Sequence, residues 1–224
     1  MSDSTITQGY IEMGKLGIHH IWEGIDHILF LIALLLPSVM YRPEKQWLAR
    51  EDFYAAFIQV VKIITIFTIA HTITLSAATL NVVSLPSRLV ESIIAISIAI
   101  VACDILKPFM KQRLWLIVFI FGLFHGFGFA SVLADYQIPD SFKTMSLLAF
   151  NLGVEIGQIA IVAVVFPVLF MMRRIQAYST LVLKYGATGL ICVSLYWFIE
   201  RGLLIDLPAG AILNWLLGNI GLKV

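Results

Sequence analysis

Six stretches of about 20 or more largely apolar residues, parted by charged or proline-bearing breaks, run through this chain, and that is the length a helix needs to cross a bilayer's hydrocarbon core. They fall near residues 17–39, 55–80, 88–107, 113–134, 143–171 and 178–200. The core offers no water to satisfy backbone groups, so helices are the expected spanning form, and no alternating pattern of a membrane barrel is present. A seventh apolar stretch, 203–222, is interrupted by Asp206, Pro208 and Gly210. It reads as a short helix near 207–222, interfacial or re-entrant. The expected fold class is all-α: a polytopic transmembrane bundle of six spanning helices plus that short C-terminal helix, in one transmembrane domain over 1–224.

Composition agrees. The chain is 60% hydrophobic and 13% charged, whereas soluble domains run nearer half and a quarter, so the lipid bilayer is an expected partner. A net charge of +1 lacks the concentrated basic surface that phosphate backbones require, and nucleic acid is not an expected partner. The N-terminus up to Lys15 lacks the basic start and apolar run of a cleaved signal peptide. Cys103 and Cys192 stand alone in separate apolar segments, without paired ligand spacing, and read as core packing residues.

Orientation follows from lysine and arginine in the short loops, which tend to stay cytoplasmic. Arg42, Lys45 and Arg50 mark the first loop, Lys107, Lys111 and Arg113 the third, and Arg173, Arg174 and Lys184 the fifth. The second and fourth offer only Arg88 and Lys143. Both termini are therefore expected on the extracytoplasmic side.

All five histidines, His19, His20, His27, His71 and His125, lie within predicted spanning segments. At about 100° per residue, His19, His20, Glu23, Asp26 and His27 would share an arc of roughly 120° on the first helix. A carboxylate near the bilayer centre costs about 2.5–3.5 kcal/mol even on a lenient scale, so these acids need partners such as cations or neighbouring helices. Were this helix to start at the interface, His19 and His20 would merely sit among head groups. On the fifth segment Asn151, Glu155 and Gln158 share one face, while Gly153 and Gly157 allow close packing on another. That polar face presents either a carboxylate with two amides or an interhelical hydrogen-bond cluster. His125 sits among Gly122, Gly126 and Gly128, where an ion or another helix could approach the ring. His71 stands beside a stripe of Thr65, Thr68, Thr72, Ser76 and Thr79, hydroxyls that usually bond their own backbone carbonyls. Each of these two histidines alone reads as a packed core residue; together with the first-segment cluster they suggest a shared site. Glu91 and Asp104, near opposite ends of the third segment, rank below the rest.

The stretch His20-Ile21-Trp22-Glu23-Gly24-Ile25-Asp26-His27 resembles the H-x-x-x-G-x-D-H signature of the HupE/UreJ family of membrane proteins. Phe124-His125-Gly126 resembles the start of that family's second histidine motif, HGxAHG, whose other histidine corresponds to Phe129. Phe150 to Gln158 looks like its segment with a membrane glutamate. The resemblance implies uptake of nickel or cobalt across a bacterial inner membrane, with His20, Asp26, His27, His125 and Glu155 at the site.

Three mechanisms fit these residues. The first is a permease in which His20, Glu23, Asp26, His27, His71, His125 and Glu155, supported by His19, Asn151 and Gln158, hold a divalent transition-metal ion, nickel, cobalt or zinc, in transit. The second is a membrane zinc hydrolase, with His27, His71 and His125 holding the metal and Glu23, Asp26 or Glu155 as general base. The third is a structural membrane subunit that supports a membrane partner or pairs with a second copy.

Overall fold

In the computed structural model, the described residues are 3–43, 46–110, 113–130, 133 and 139–203; the short helix expected near 207–222 lies outside them. Helices α1 (Asp3–Glu23) and α2 (Ile25–Ser38) lead into an antiparallel hairpin of β1 (Met40–Tyr41) and β2 (Leu48–Ala49). Then come α3 (Phe53–Thr79), α4 (Ser87–Leu106), α5 (Leu114–Gly128) and α6 (Asp140–Met172). A π-helical stretch, Tyr178–Tyr185, runs into α7 (Gly186–Leu203).

Among the described residues, four stretches are long and apolar enough to cross a membrane: Phe53–Thr79, Ser87–Leu106, Ser141–Met172 and Tyr178–Leu203. A fifth is counted if Ile6–Glu23 and Ile25–Ser38, bent by 69° at their junction, make one span. Six was the expectation, and α5 is the shortfall: its 15 residues reach about 22 Å at ~1.5 Å per residue, less than the ~30 Å hydrocarbon core. The first predicted segment, 17–39, also needs correction. Its helix starts at Asp3 and breaks at Gly24, whose φ of −74° and ψ of 91° leave the helical region. Glycine is the weakest helix former after proline, and it yields where neighbouring packing pulls the chain aside.

The helices pack chiefly in the pairs α1 with α6, α3 with α5 and α4 with α7. Glycines set the first two contacts. A Cβ at Gly17 or Gly153 would strike the Phe150 or Gly14 carbonyl across the α1/α6 seam, and one at Gly126 would strike His71 and Thr74 on α3. Trp22 Nε1 donates to the Gly157 carbonyl at 3.2 Å, locking the register of α1 on α6. Small residues at such seams are how apolar helices associate in lipid, where burying more hydrocarbon brings little gain.

The larger apolar core includes Phe30, Leu35, Ile64, Ile98 and Phe166; the smaller holds Ile21, Leu75, Phe150 and Val154. Leu148, Leu152, Ile156, Val164, Val168 and Met171 instead face outward along α6. An outward apolar stripe of this length suits lipid as solvent. Cys103 and Cys192 are exposed as well, so they are not the core residues their segments suggested. They lie on helix faces turned away from the bundle.

Tyr178 is fully buried and its hydroxyl donates to the Leu36 carbonyl at 2.9 Å, tying the π-helical stretch to the end of α2. Tyr178→Phe removes that donor and leaves the carbonyl unpaired, so it should lower stability by about 1 kcal/mol. Thermal unfolding in detergent would register this as a few degrees in Tm; an unchanged Tm would mean that the bond contributes nothing.

Candidate metal centre

The break at Gly24 builds the centre of the site. Without it the ring of His27 would follow the α1 axis; with it, His20 at the end of α1 and His27 at the start of α2 turn into one interior space, ring centroids 4.6 Å apart. The position itself excludes a side chain, because a Cβ at Gly24 would lie 2.7 Å from the His20 carbonyl and 2.8 Å from His27 Nδ1. Asp26, in the first turn of α2, accepts from the His27 backbone N–H at 2.9 Å and meets His27 Nδ1 at 3.1 Å. A carboxylate suits this place, where free N–H groups and the helix dipole favour negative charge.

Two further imidazoles arrive from α3 and α5. His71 and His125 are fully buried, and the His125 ring lies 5.3 Å from that of His27. One ring nitrogen from each of His20, His27 and His71 lies within 4.8 Å of the others, a group able to hold a metal ion. Apolar rings wall the space: Phe67 stands 5.0 Å from His125, and Phe129 4.1 Å from His20. The position that carries a second histidine in the resembled motif therefore faces the cluster and here supplies an apolar wall.

The outer partners fix which nitrogen is free. His125 Nδ1 donates to the Phe121 carbonyl at 2.9 Å, and a carbonyl can only accept. His27 Nδ1 faces the Asp26 carboxylate, again an acceptor. His71 Nδ1 meets Asn151 Oδ1 at 3.4 Å, and the Asn151 amide is oriented by its Nδ2 donating to the Leu147 carbonyl at 2.7 Å. With Nδ1 protonated, Nε2 carries the lone pair and is the atom able to ligate. The Nε2 atoms of His20, His27, His71 and His125 are all buried and have no hydrogen-bond partner among the described residues. Buried polar atoms are rarely left so, and the three imidazoles whose ring nitrogens lie within 4.8 Å of one another suit an electrophile that they share.

The other predicted residues separate. His19 and Glu23 form an i,i+4 pair at 3.8 Å with side chains 64% and 80% exposed, so the single loaded face expected for the first helix is divided between an outer pair and the inner cluster. Glu155 accepts from the Thr65 hydroxyl at 2.6 Å and Gln158 from Thr68 at 2.9 Å. With the His71 contact to Asn151, these make a ladder between α3 and α6. The threonine stripe divides its bonding: Thr72 returns to its own helix at the Thr68 carbonyl, while Thr65 and Thr68 reach across. Glu91, ranked low from the sequence, and Arg201, which the sequence places near a helix end, line the same space: a pocket of about 310 Å³ is bordered by His20, Asp26, His27 and His125 together with Glu91 and Arg201. Their only sequence signal was charge inside apolar segments.

A bundle of membrane-crossing apolar helices with four imidazoles gathered inside it defines a multi-pass membrane protein with a candidate transition-metal site. The family model described as HupE / UreJ protein matches residues 1–201. The chain belongs to the HupE/UreJ family. No curated protein and no solved structure matches it significantly.

Proposed function

We propose that this protein is a permease that admits a divalent transition-metal ion of the nickel and cobalt class into the cell through a bacterial inner membrane. The reading is carried by the three histidines, His20, His27 and His71, whose ring nitrogens lie within 4.8 Å of one another and whose buried Nε2 atoms, like that of His125, have no partner among the described residues. Imidazole favours nickel, cobalt and zinc over magnesium and calcium. His20, His27 and His71 are the first ligands and His125 adjoins them, each neutral when bound. Asp26 orients His27 and offsets part of the ion's charge. Glu155, one helical turn beyond Asn151 on α6, offers a second carboxylate to an ion leaving the cluster.

Direction follows from charge. The pocket opens where α4 begins and where α5 and α7 end, the end opposite Arg42, Arg50, Lys107, Arg173 and Arg174. The positive-inside rule favours those basic loops in the cytoplasm, and on this reading the imidazoles are reached from outside. Hydrolysis is the weaker reading, because Asp26 is engaged by His27 and Glu155 by Thr65, which leaves neither as a free general base.

The test is transport by the purified protein in sealed vesicles. Wild-type vesicles should accumulate Ni²⁺ or Co²⁺ several-fold above protein-free ones. If neither these ions nor Zn²⁺ enter faster than into empty vesicles, the permease reading is lost.

A further inference from the structure

One ion pair lines the pocket that the imidazoles border. Glu91, in the second turn of α4, and Arg201, in the last turn of α7, line the pocket across from His20 and His27. Arg201 Nε stands 3.9 Å from Glu91 Oε2, with the side chains 30% and 46% exposed. That is the loose limit of an ion pair, and one so exposed contributes at most about 1 kcal/mol. The Glu91 carboxylate accepts no hydrogen bond among the described residues. The Arg201 guanidinium at the same time lies over the Trp197 ring at 4.9 Å, a contact that does not depend on Glu91. The helices that carry the pair are meanwhile held together elsewhere: Arg88 Nε donates to the Gly202 carbonyl at 2.7 Å. The pair is thus not needed to join α4 to α7, and it can open without moving them.

We propose that Glu91 is the receiving carboxylate for a divalent cation entering the pocket, and that Arg201 is its exchangeable plug. This rests on the permease reading. A divalent cation carries twice the charge of the guanidinium and competes directly for the same oxygens, so its approach displaces Arg201 from Glu91 and leaves it with Trp197 alone. The freed carboxylate then shares the pocket with the ion a short step from the imidazoles. A monovalent cation lacks the charge to displace the arginine, and an anion meets Glu91 and Asp26. Glu91 lowers the barrier between outside and cluster, and a barrier is crossed in both directions. Its loss therefore slows binding and release alike and leaves the equilibrium affinity nearly as it was.

The test uses full-length protein in nanodiscs, Co²⁺ alone as the probe, and stopped-flow detection of its visible absorbance on imidazole nitrogen. Glu91→Gln keeps the shape and removes the charge; it should slow association about tenfold, at the low end of what focused charge supplies, with Kd within about twofold of wild type. Arg201→Gln frees the carboxylate and should speed association about threefold at low ionic strength. The double variant should behave as Glu91→Gln alone. A pair that served only to hold helices together would move both rates the same way, or neither, and that result overturns the proposal. Association by Glu91→Gln at the wild-type rate also overturns it while leaving the permease reading in place. Wild-type protein that binds no Co²⁺, Ni²⁺ or Zn²⁺ overturns both.

Discussion

Replacing His27 with alanine should weaken Ni²⁺ or Co²⁺ binding at least 100-fold and abolish accumulation in vesicles, while the helical content of the protein stays as it was. His27 is the hub of the cluster, with the rings of His20, His125 and His71 at 4.6, 5.3 and 6.1 Å. Its loss removes one ligand and also strands Asp26, whose carboxylate meets the ring nitrogen at 3.1 Å. A hundredfold is about 2.7 kcal/mol, a modest figure for a direct ligand, since losing an orienting partner alone commonly takes 10–100-fold. Asp26→Asn should accordingly fall inside that smaller range. His19→Ala should change nothing, because His19 points outward with its side chain 64% exposed. Equilibrium dialysis with metal analysis separates these three. Wild-type affinity in His27→Ala would place the metal elsewhere, and unchanged accumulation would return the chain to the role of a structural subunit.

Much of this was legible in the sequence because lipid imposes simple rules. A stretch of about 20 apolar residues must be a helix, and the glycines of α5 and α6 marked the faces on which neighbours pack. What periodicity could not supply was the break at Gly24. Reading His19 to His27 at 100° per residue assumed one straight helix, and on that assumption His19 and Glu23 belonged with the ligands. The packing of α1 leaves His19 and Glu23 outside and His20 within, and the 69° bend that follows brings Asp26 and His27 back to His20. His71 and His125 were harder, since each alone resembles a packed histidine. Their convergence depends on α5 lying directly on α3 at Gly122 and Gly126, a contact no local pattern encodes. The pairing of Glu91 with Arg201 is more remote still. Only the packing of α4 on α7 brings these charges to one pocket.

Substituting Gly153 should have the largest structural effect in the protein, and it should act on the metal site without touching it. At this position α6 presents bare backbone to α1, and an added Cβ would overlap the Gly14 carbonyl. A flexible side chain could swing aside; a backbone oxygen cannot. The helices must separate, and α1 carries His20, so the separation withdraws one imidazole from the other three. Overpacking usually costs about 1–3 kcal/mol, and here the obstacle is main chain, which puts Gly153→Ala at the upper end and Gly153→Val beyond what the fold withstands. Gly153→Ala should thus lower Tm by several degrees and weaken Co²⁺ binding tenfold or more, and Gly153→Val should yield no monodisperse protein. Gly189→Ala reverses the sign. Among the described residues nothing lies within 4 Å of a Cβ there, so the better helix former should raise stability by about 0.5–1 kcal/mol. Thermal melts and size-exclusion profiles of the three variants decide the matter, because a glycine needed for its backbone freedom alone would make positions 153 and 189 respond alike.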